Sequence, residues 1–315
     1  QRQMCIRDSG ASRKGILIKG GNYMDALAHI DTVVLDKTGT LTQGTFAVEA
    51  IHPDSLSEKE LLHLAAHVEH FSHHPIAVAL QGAYQHVGDG CTTNHVHEVV
   101  GKGIVADVNG HRVAVGNERM MEAEGATLHP CKRCEGHAGP VVHVAIDGRY
   151  AGHVVISDQV KADASEALRA LRQLGVKQTV MLTGDKEAVA RQVALQVGID
   201  SYAAELLPAD KVERVERLIQ QQSQEKGTLA FVGDGINDAP VLSRADIGIA
   251  MGGLGSDAAI EAADIVIMTD EPAKITTAMH ISKETLKIVK QNIIFAIGVK
   301  VLVLILAALG VASMW

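Results

Sequence analysis

The sequence predicts an α/β protein: a parallel-sheet domain, a smaller α+β domain inserted into it, and one C-terminal transmembrane helix. Three observations carry this. From Val154 onward, short apolar segments alternate with amphipathic ones, the pattern of a parallel sheet with crossover helices. Residues 46–153 have a different texture, with turn-flanked apolar pairs and 14 of the 16 histidines. The chain closes on the apolar run Ile293–Ala312, broken only by Gly298, Lys300 and Gly310.

The elements follow in order. Residues 1–9 (QRQMCIRDS) match nothing expected there and read as a non-native segment. Residues 10–45 form the first part of the sheet domain together with a linker arriving from the membrane. Their apolar Val33-Val34-Leu35 reads as a buried strand that ends at Asp36. In the insert, Ser57-Glu58-Lys59-Glu60 is a capping box before Leu61, Leu64, Ala65 and Val68 at helical spacing. Asn109-Gly110 and Asp147-Gly148 each sit between two apolar runs, which is the strongest short hairpin signal.

Residues 154–280 complete the sheet domain. Helices are expected over 162–174, 187–196 and 209–222, and strands over 179–182, 229–232, 247–250 and 265–268. Asp36, Thr183-Gly184-Asp185 and Gly233-Asp234-Gly235 each follow such a strand, so three polar clusters converge on one sheet edge. Residues 281–315 are read as a linker and a span. About 20 apolar residues in a helix cross a bilayer core of roughly 30 Å.

Composition excludes several classes. Apolar residues are 47% and charged residues 21% of the 315, which rules out a disordered chain. Lys and Arg number 29 against 37 for Asp and Glu, a net charge of −8, so nucleic acid is not an expected partner. Four cysteines, at 5, 91, 131 and 134, are too few and too uneven for a disulfide scaffold. His129, Cys131, Cys134 and His137 have a spacing that suits zinc, although a solvated loop is the simpler reading.

Asp36-Lys37-Thr38-Gly39-Thr40-Leu41-Thr42, Thr183-Gly184-Asp185 and Gly233-Asp234-Gly235-Ile236-Asn237-Asp238 occur in this order in one chain. Together they resemble the signatures of the P-type ATPases, within the haloacid-dehalogenase-like fold. The resemblance implies that Asp36 is a carboxylate nucleophile taking the γ-phosphoryl group of ATP. It implies Mg²⁺ held by Asp36, the Thr38 carbonyl, Asp234 and Asp238. Lys37, Thr183, Gly184, Asp185, Lys211 and Asn237 would complete the phosphoryl site. Soluble phosphatases of this fold carry a second Asp two residues after the nucleophile. Here that residue is Thr38, which favours a persistent acyl phosphate.

Ser72-His73-His74-Pro75, Gly101-Lys102-Gly103 and Gly116-Asn117 are similar to the nucleotide-binding domain of the family's heavy-metal branch. By that resemblance Glu69, His74, Pro75, Gly101, Gly103, Gly116 and Asn117 bind ATP. His74 and Glu69 would meet the adenine, and the glycines would let the backbone approach the phosphates. Lys283, Lys287 and Lys290 precede the span, which puts its N-terminal side and both soluble domains in the cytoplasm.

Lys300 lies inside the span, where a charge costs roughly 2.5–3.5 kcal/mol. The segment around it resembles the zinc/cadmium/lead subgroup, in which such a lysine is a countercharge near the transported ion. The implied whole is an exporter of Zn²⁺, Cd²⁺ or Pb²⁺ in the cell membrane. The upstream membrane and actuator domains would lie outside this sequence, so the chain alone is not expected to transport. The rival readings are a copper-transporting relative and a non-catalytic, histidine-rich metal-binding protein anchored in the bilayer.

Overall fold

The chain enters through β1 (Ile16–Ile18), α1 (Gly21–Ala28) and β2 (Ile30–Asp36). Then come β3 (Thr42–Pro53), α2 (Glu58–Glu69), α3 (Pro75–Ala83), β4 (Thr93–Val99), β5 (Gly103–Val108) and β6 (His111–Gly116). Next are α4 (Glu118–Ala123), β7 (Val141–Ile146), β8 (Arg149–Val160), α5 (Ala164–Gln173), β9 (Gln178–Leu182), α6 (Glu187–Val197) and β10 (Ser201–Ala203). The last are α7 (Pro208–Ser223), β11 (Thr228–Gly233), α8 (Ala239–Arg244), β12 (Ile247–Met251), α9 (Asp257–Ala262), β13 (Ile265–Ile267) and α10 (Ala273–Ala308). This computed structural model describes residues 11–72, 74–84, 90–129, 131, 139–223, 227–235, 238–252 and 257–308. The chain divides into two units, residues 1–41, 162–184 and 196–315, and residues 42–161 with 185–195.

The first unit is built on a seven-stranded sheet of order β1-β13-β12-β11-β2-β9-β10. All neighbours are parallel except the edge pair β1–β13. β2 and β11 read as near-continuous apolar runs because both of their faces are covered. Phe231 of β11 is fully buried among Val34, Val180, Val215 and Leu242. Burying such a side chain contributes about 2–3 kcal/mol. Since β11, β2 and β9 run parallel side by side, their carboxyl ends open on one edge. Asp234, Asp36 and Thr183 each follow or close one of these strands.

The second unit has a six-stranded antiparallel sheet, β3-β8-β7-β6-β5-β4. Its core joins Leu61 and Leu80 of the helices to Val113, Val144, Val154 and Ile156 of the strands. Ser57 caps α2 through the expected reciprocal box. Asn109, Gly110, Asp147 and Gly148 all have positive φ, as two-residue hairpin turns of the right twist require. β3 and β8 pair between Thr42 and Val160, so this unit takes in residues 42–45 and 154–161, which the sequence pattern groups with the parallel sheet.

α10 runs for 36 residues without interruption. No Gly or Pro occurs between Ala273 and Ile297, so nothing breaks the helix where a linker was expected. Ile275, Ala278, Met279 and Ser282 are buried, while Lys283 donates to the Leu174 carbonyl at the end of α5. Lys283 therefore serves as a helix C-cap donor within the first unit, and Lys287 and Lys290 remain as flanking charges. Beyond them Ile293, Ile294, Phe295, Ile297 and Leu302–Ile305 are exposed. The helix is long and apolar enough to cross a membrane.

Candidate active site

Asp36 ends β2 and is buried. The chain then turns sharply through Lys37–Leu41, with Gly39 at φ 73°. A Cβ at Gly39 would lie 1.6 Å from Asp234 Oδ2, so only glycine lets this turn pass beneath the Asp234 carboxylate. Gly233 is constrained likewise, a Cβ there standing 2.7 Å from Asp238 Oδ2.

Lys211, on α7, donates to Asp36 Oδ1 at 2.5 Å and to Asp238 Oδ1 at 3.0 Å. All three side chains are nearly sealed from solvent. Burial, and then the neighbouring Asp238, push the Asp36 carboxyl up to about 7, against the pull of Lys211. Burial opposes the charge of Lys211, but Asp36 and Asp238 outweigh it and hold the ammonium above its usual range. Carboxylate oxygens of Asp36, Asp234 and Asp238 lie within 4.8 Å of one another. Three clustered hard oxygen donors, two of them bonded to one lysine, suit Mg²⁺.

Thr183 is buried directly after β9. Its backbone pairs with Ala203 and Leu206, one residue beyond the Leu182 that faces Asp36 in register. Gly184 is exposed and Asp185 half-buried in the loop that follows, Lys37 is buried, and Thr38 is exposed. Asn237 lies outside the described residues.

In the second unit a cavity of about 320 Å³ is lined by Glu69, His74, Gly101, Gly103, Gly116 and Asn117. This is the size range of small-molecule sites. His74 caps α3: its Nδ1 accepts from the Ile76 amide, so the proton sits on Nε2 and is available to a ligand. Pro75 follows at the first helical position. Asn117 caps α4 and donates to the Gly101 carbonyl at 2.9 Å.

Gly103 and Gly116 face each other across β5 and β6. A Cβ on either would meet backbone at 2.1–2.2 Å, so the strand pair itself demands these glycines. The expected approach of backbone to phosphate is thus left to Gly101, whose Cβ position is open. Glu98, Lys102 and Ser72 also line the cavity. Ser72 and Lys102 belong to the motifs read in the sequence, whereas nothing there points to Glu98, which arrives on β4 through strand register.

The model for haloacid dehalogenase-like hydrolases matches residues 30–246. The chain belongs to this family. A zinc-transporting ATPase of Synechocystis sp. is 50% identical over 308 residues, covering 97% of this chain and 42% of that protein. A cadmium, zinc and cobalt-transporting ATPase of Bacillus subtilis is 50% identical over 306 residues, covering 97% and 43%. A solved zinc-transporting PIB-type ATPase superposes with a TM-score of 0.86 at 37% identity, over 98% of this chain and 50% of that one. The resemblance to metal-transporting P-type ATPases seen in three motifs thus extends along nearly the whole chain, which spans about half the length of these relatives or less.

Two expected outcomes follow for this haloacid dehalogenase-like chain. Gly39→Ala drives a methyl group into Asp234 and is expected to weaken Mg²⁺ binding by about tenfold or more. The Mg²⁺-dependent rise of the unfolding midpoint measures it. The second concerns Glu69, whose carboxyl is raised to about 7 by burial and by Glu98. An acid with a raised folded pKa keeps a proton that the unfolded chain releases, so stability is lost as pH rises from 4.5 through 7. Glu69→Gln is expected to be about 2 kcal/mol more stable than wild type near pH 8, with the gap closing near pH 4.5. Urea unfolding at the two pH values tests this.

Proposed function

We propose that this chain is the ATP-binding and phosphorylation half of a P-type ATPase that exports a divalent heavy metal, Zn²⁺ or Cd²⁺, from the cytoplasm. The observation that carries it is the Asp36–Lys211–Asp238 cluster at the carboxyl edge of the parallel sheet, with Thr38 where a soluble phosphatase would hold a second carboxylate. ATP binds in the cavity of the second unit. His74 Nε2 donates to the adenine, and a Glu69 carboxyl oxygen accepts from its exocyclic amine.

An Asp36 carboxylate oxygen bonds to the γ-phosphorus. The bond from that phosphorus to the β,γ-bridging oxygen breaks, and ADP departs with the electron pair. Lys211 and Thr183 hold the phosphoryl oxygens in line, and Lys37, Asp185 and Asn237 complete the enclosure. Mg²⁺, held by Asp36, the Thr38 carbonyl, Asp234 and Asp238, would supply the positive charge that keeps Asp36 ionised and offsets the phosphate charge. With Thr38 where a soluble phosphatase holds its second Asp, the acyl phosphate meets no carboxylate at that position to activate water and persists long enough to drive a conformational change.

α10 contributes one span of the membrane pathway, and Lys300 is a countercharge facing the transported ion. The 50% identity to zinc- and zinc/cadmium/cobalt-transporting relatives supports this choice of cargo. The test is phosphoenzyme formation from Mg-ATP in membrane vesicles carrying the complete pump. Labelling stimulated by Zn²⁺ or Cd²⁺ supports the reading; labelling that needs Cu⁺ assigns the other cargo; and none with any metal removes the catalytic role.

A further inference from the structure

Three histidines stand in one row across neighbouring strands of the second unit. His52 of β3 is directly opposite His153 of β8, which is directly opposite His143 of β7. The His52 and His153 rings are 5.1 Å apart, and the His143 and His153 rings 5.7 Å. Cross-strand neighbours this close would repel if charged.

Cys131 closes this row. Its sulfur and one ring nitrogen from each of His52 and His153 lie within 4.8 Å of one another. Ligand atoms around a tetrahedral zinc ion are roughly 3.3–3.8 Å apart, so a small contraction brings the three into range. His153 already has the outer contact that fixes a metal-binding imidazole: its Nδ1 is 2.8 Å from the Tyr150 hydroxyl, which is also 3.0 Å from His143 Nδ1.

The set differs from the one that local spacing suggests. His129 instead faces the Asp54 carboxylate at 3.5 Å, and Cys134 and His137 lie outside the described residues. A second group, His63, His67 and Cys91, is already hydrogen-bonded: His63 joins Tyr84 at 2.7 Å and Cys91 at 3.1 Å, and Asn109 donates to the same sulfur.

We propose that His52, Cys131 and His153 form a binding site for a zinc-class transition-metal ion, separate from the carboxylate cluster at Asp36. Two imidazoles and a thiolate select Zn²⁺, Cd²⁺ or Co²⁺ over Mg²⁺ and Ca²⁺, and leave a fourth position for water or an incoming ligand. Binding releases the thiol proton and ties Cys131 to β3 and β8. The site stands whether or not the chain forms a phosphoenzyme.

Co²⁺ titration of the full chain in detergent tests it. The expected result is a thiolate-to-cobalt absorption band with the visible bands of tetrahedral cobalt, abolished by excess Zn²⁺. Cys131→Ser and His52→Gln each remove the band, and Cys91→Ser keeps it. Tyr150→Phe keeps it with affinity about tenfold weaker. Unchanged circular dichroism in the metal-free variants separates lost ligation from lost folding. A wild-type chain without the band, or a band that survives Cys131→Ser and disappears in Cys91→Ser, overturns the proposal.

Discussion

Asp36→Asn is expected to bring the hydroxylamine-sensitive phosphoenzyme down to background, a loss of more than about a hundredfold, while making the fold more stable above neutral pH. The two effects have one cause. Asp36 is buried beside Asp238 and Asp234, and its carboxyl is raised to about 7. At alkaline pH the folded chain must hold a charge that water would solvate better, so stability falls as pH rises from 3.8 through 7. Asparagine has nearly the same shape, carries no charge, and still offers an oxygen to Lys211. It cannot form an acyl phosphate. Labelling from ATP in the complete pump reads the first effect, and urea unfolding of this chain in chelator near pH 6 and pH 8 reads the second. An Asp36→Asn variant that labels normally sinks the nucleophile assignment. One that loses label but gains no stability near pH 8 leaves the nucleophile and removes the electrostatic account.

Such a site is visible in sequence where chemistry and local structure coincide. Asp36 could be placed because an apolar strand ends on it, whereas Lys211 and Asp238 could be placed only through the resemblance to a known family. Asn109-Gly110 and Asp147-Gly148 could be placed because a two-residue hairpin needs positive φ at both positions. What stayed hidden depends on register and on length. β1 and β10 are three residues each, too short for any periodicity. Glu98 and Glu69 are far apart in sequence and meet only through the fold of the second unit. His52, His143 and His153 form a row only because β3, β8 and β7 pair as they do. Local spacing directed attention to His129, Cys134 and His137 instead. Gly103 and Gly116 resemble ligand glycines in sequence, and the strand pair shows a nearer reason for them.

Lys211→Met is expected to cost about 3 kcal/mol in chelator near pH 8, because it removes the buried ammonium that Asp36 and Asp238 share. Lys211 holds Asp36 and Asp238 at once, and its ammonium is kept above its usual range by both. Methionine fills much of the same volume, so the loss measures charge more than packing. The remaining strain has two exits, and each makes a separate expectation. Asp36 can take up a proton, so the penalty should shrink below about pH 7, where that carboxyl is already half protonated in the wild type. A divalent cation can also take the lysine's place among Asp36, Asp234 and Asp238, so Mg²⁺ should restore more stability to the variant than it adds to the wild type. Phosphoenzyme should nevertheless stay strongly reduced in the complete pump, since Mg²⁺ replaces the lysine's charge and not its contact with the phosphoryl oxygens. Equal unfolding midpoints for the two proteins in chelator at both pH values would mean that Lys211 does not hold the acidic cluster together. The site would then have to be assembled by Mg²⁺ and nucleotide.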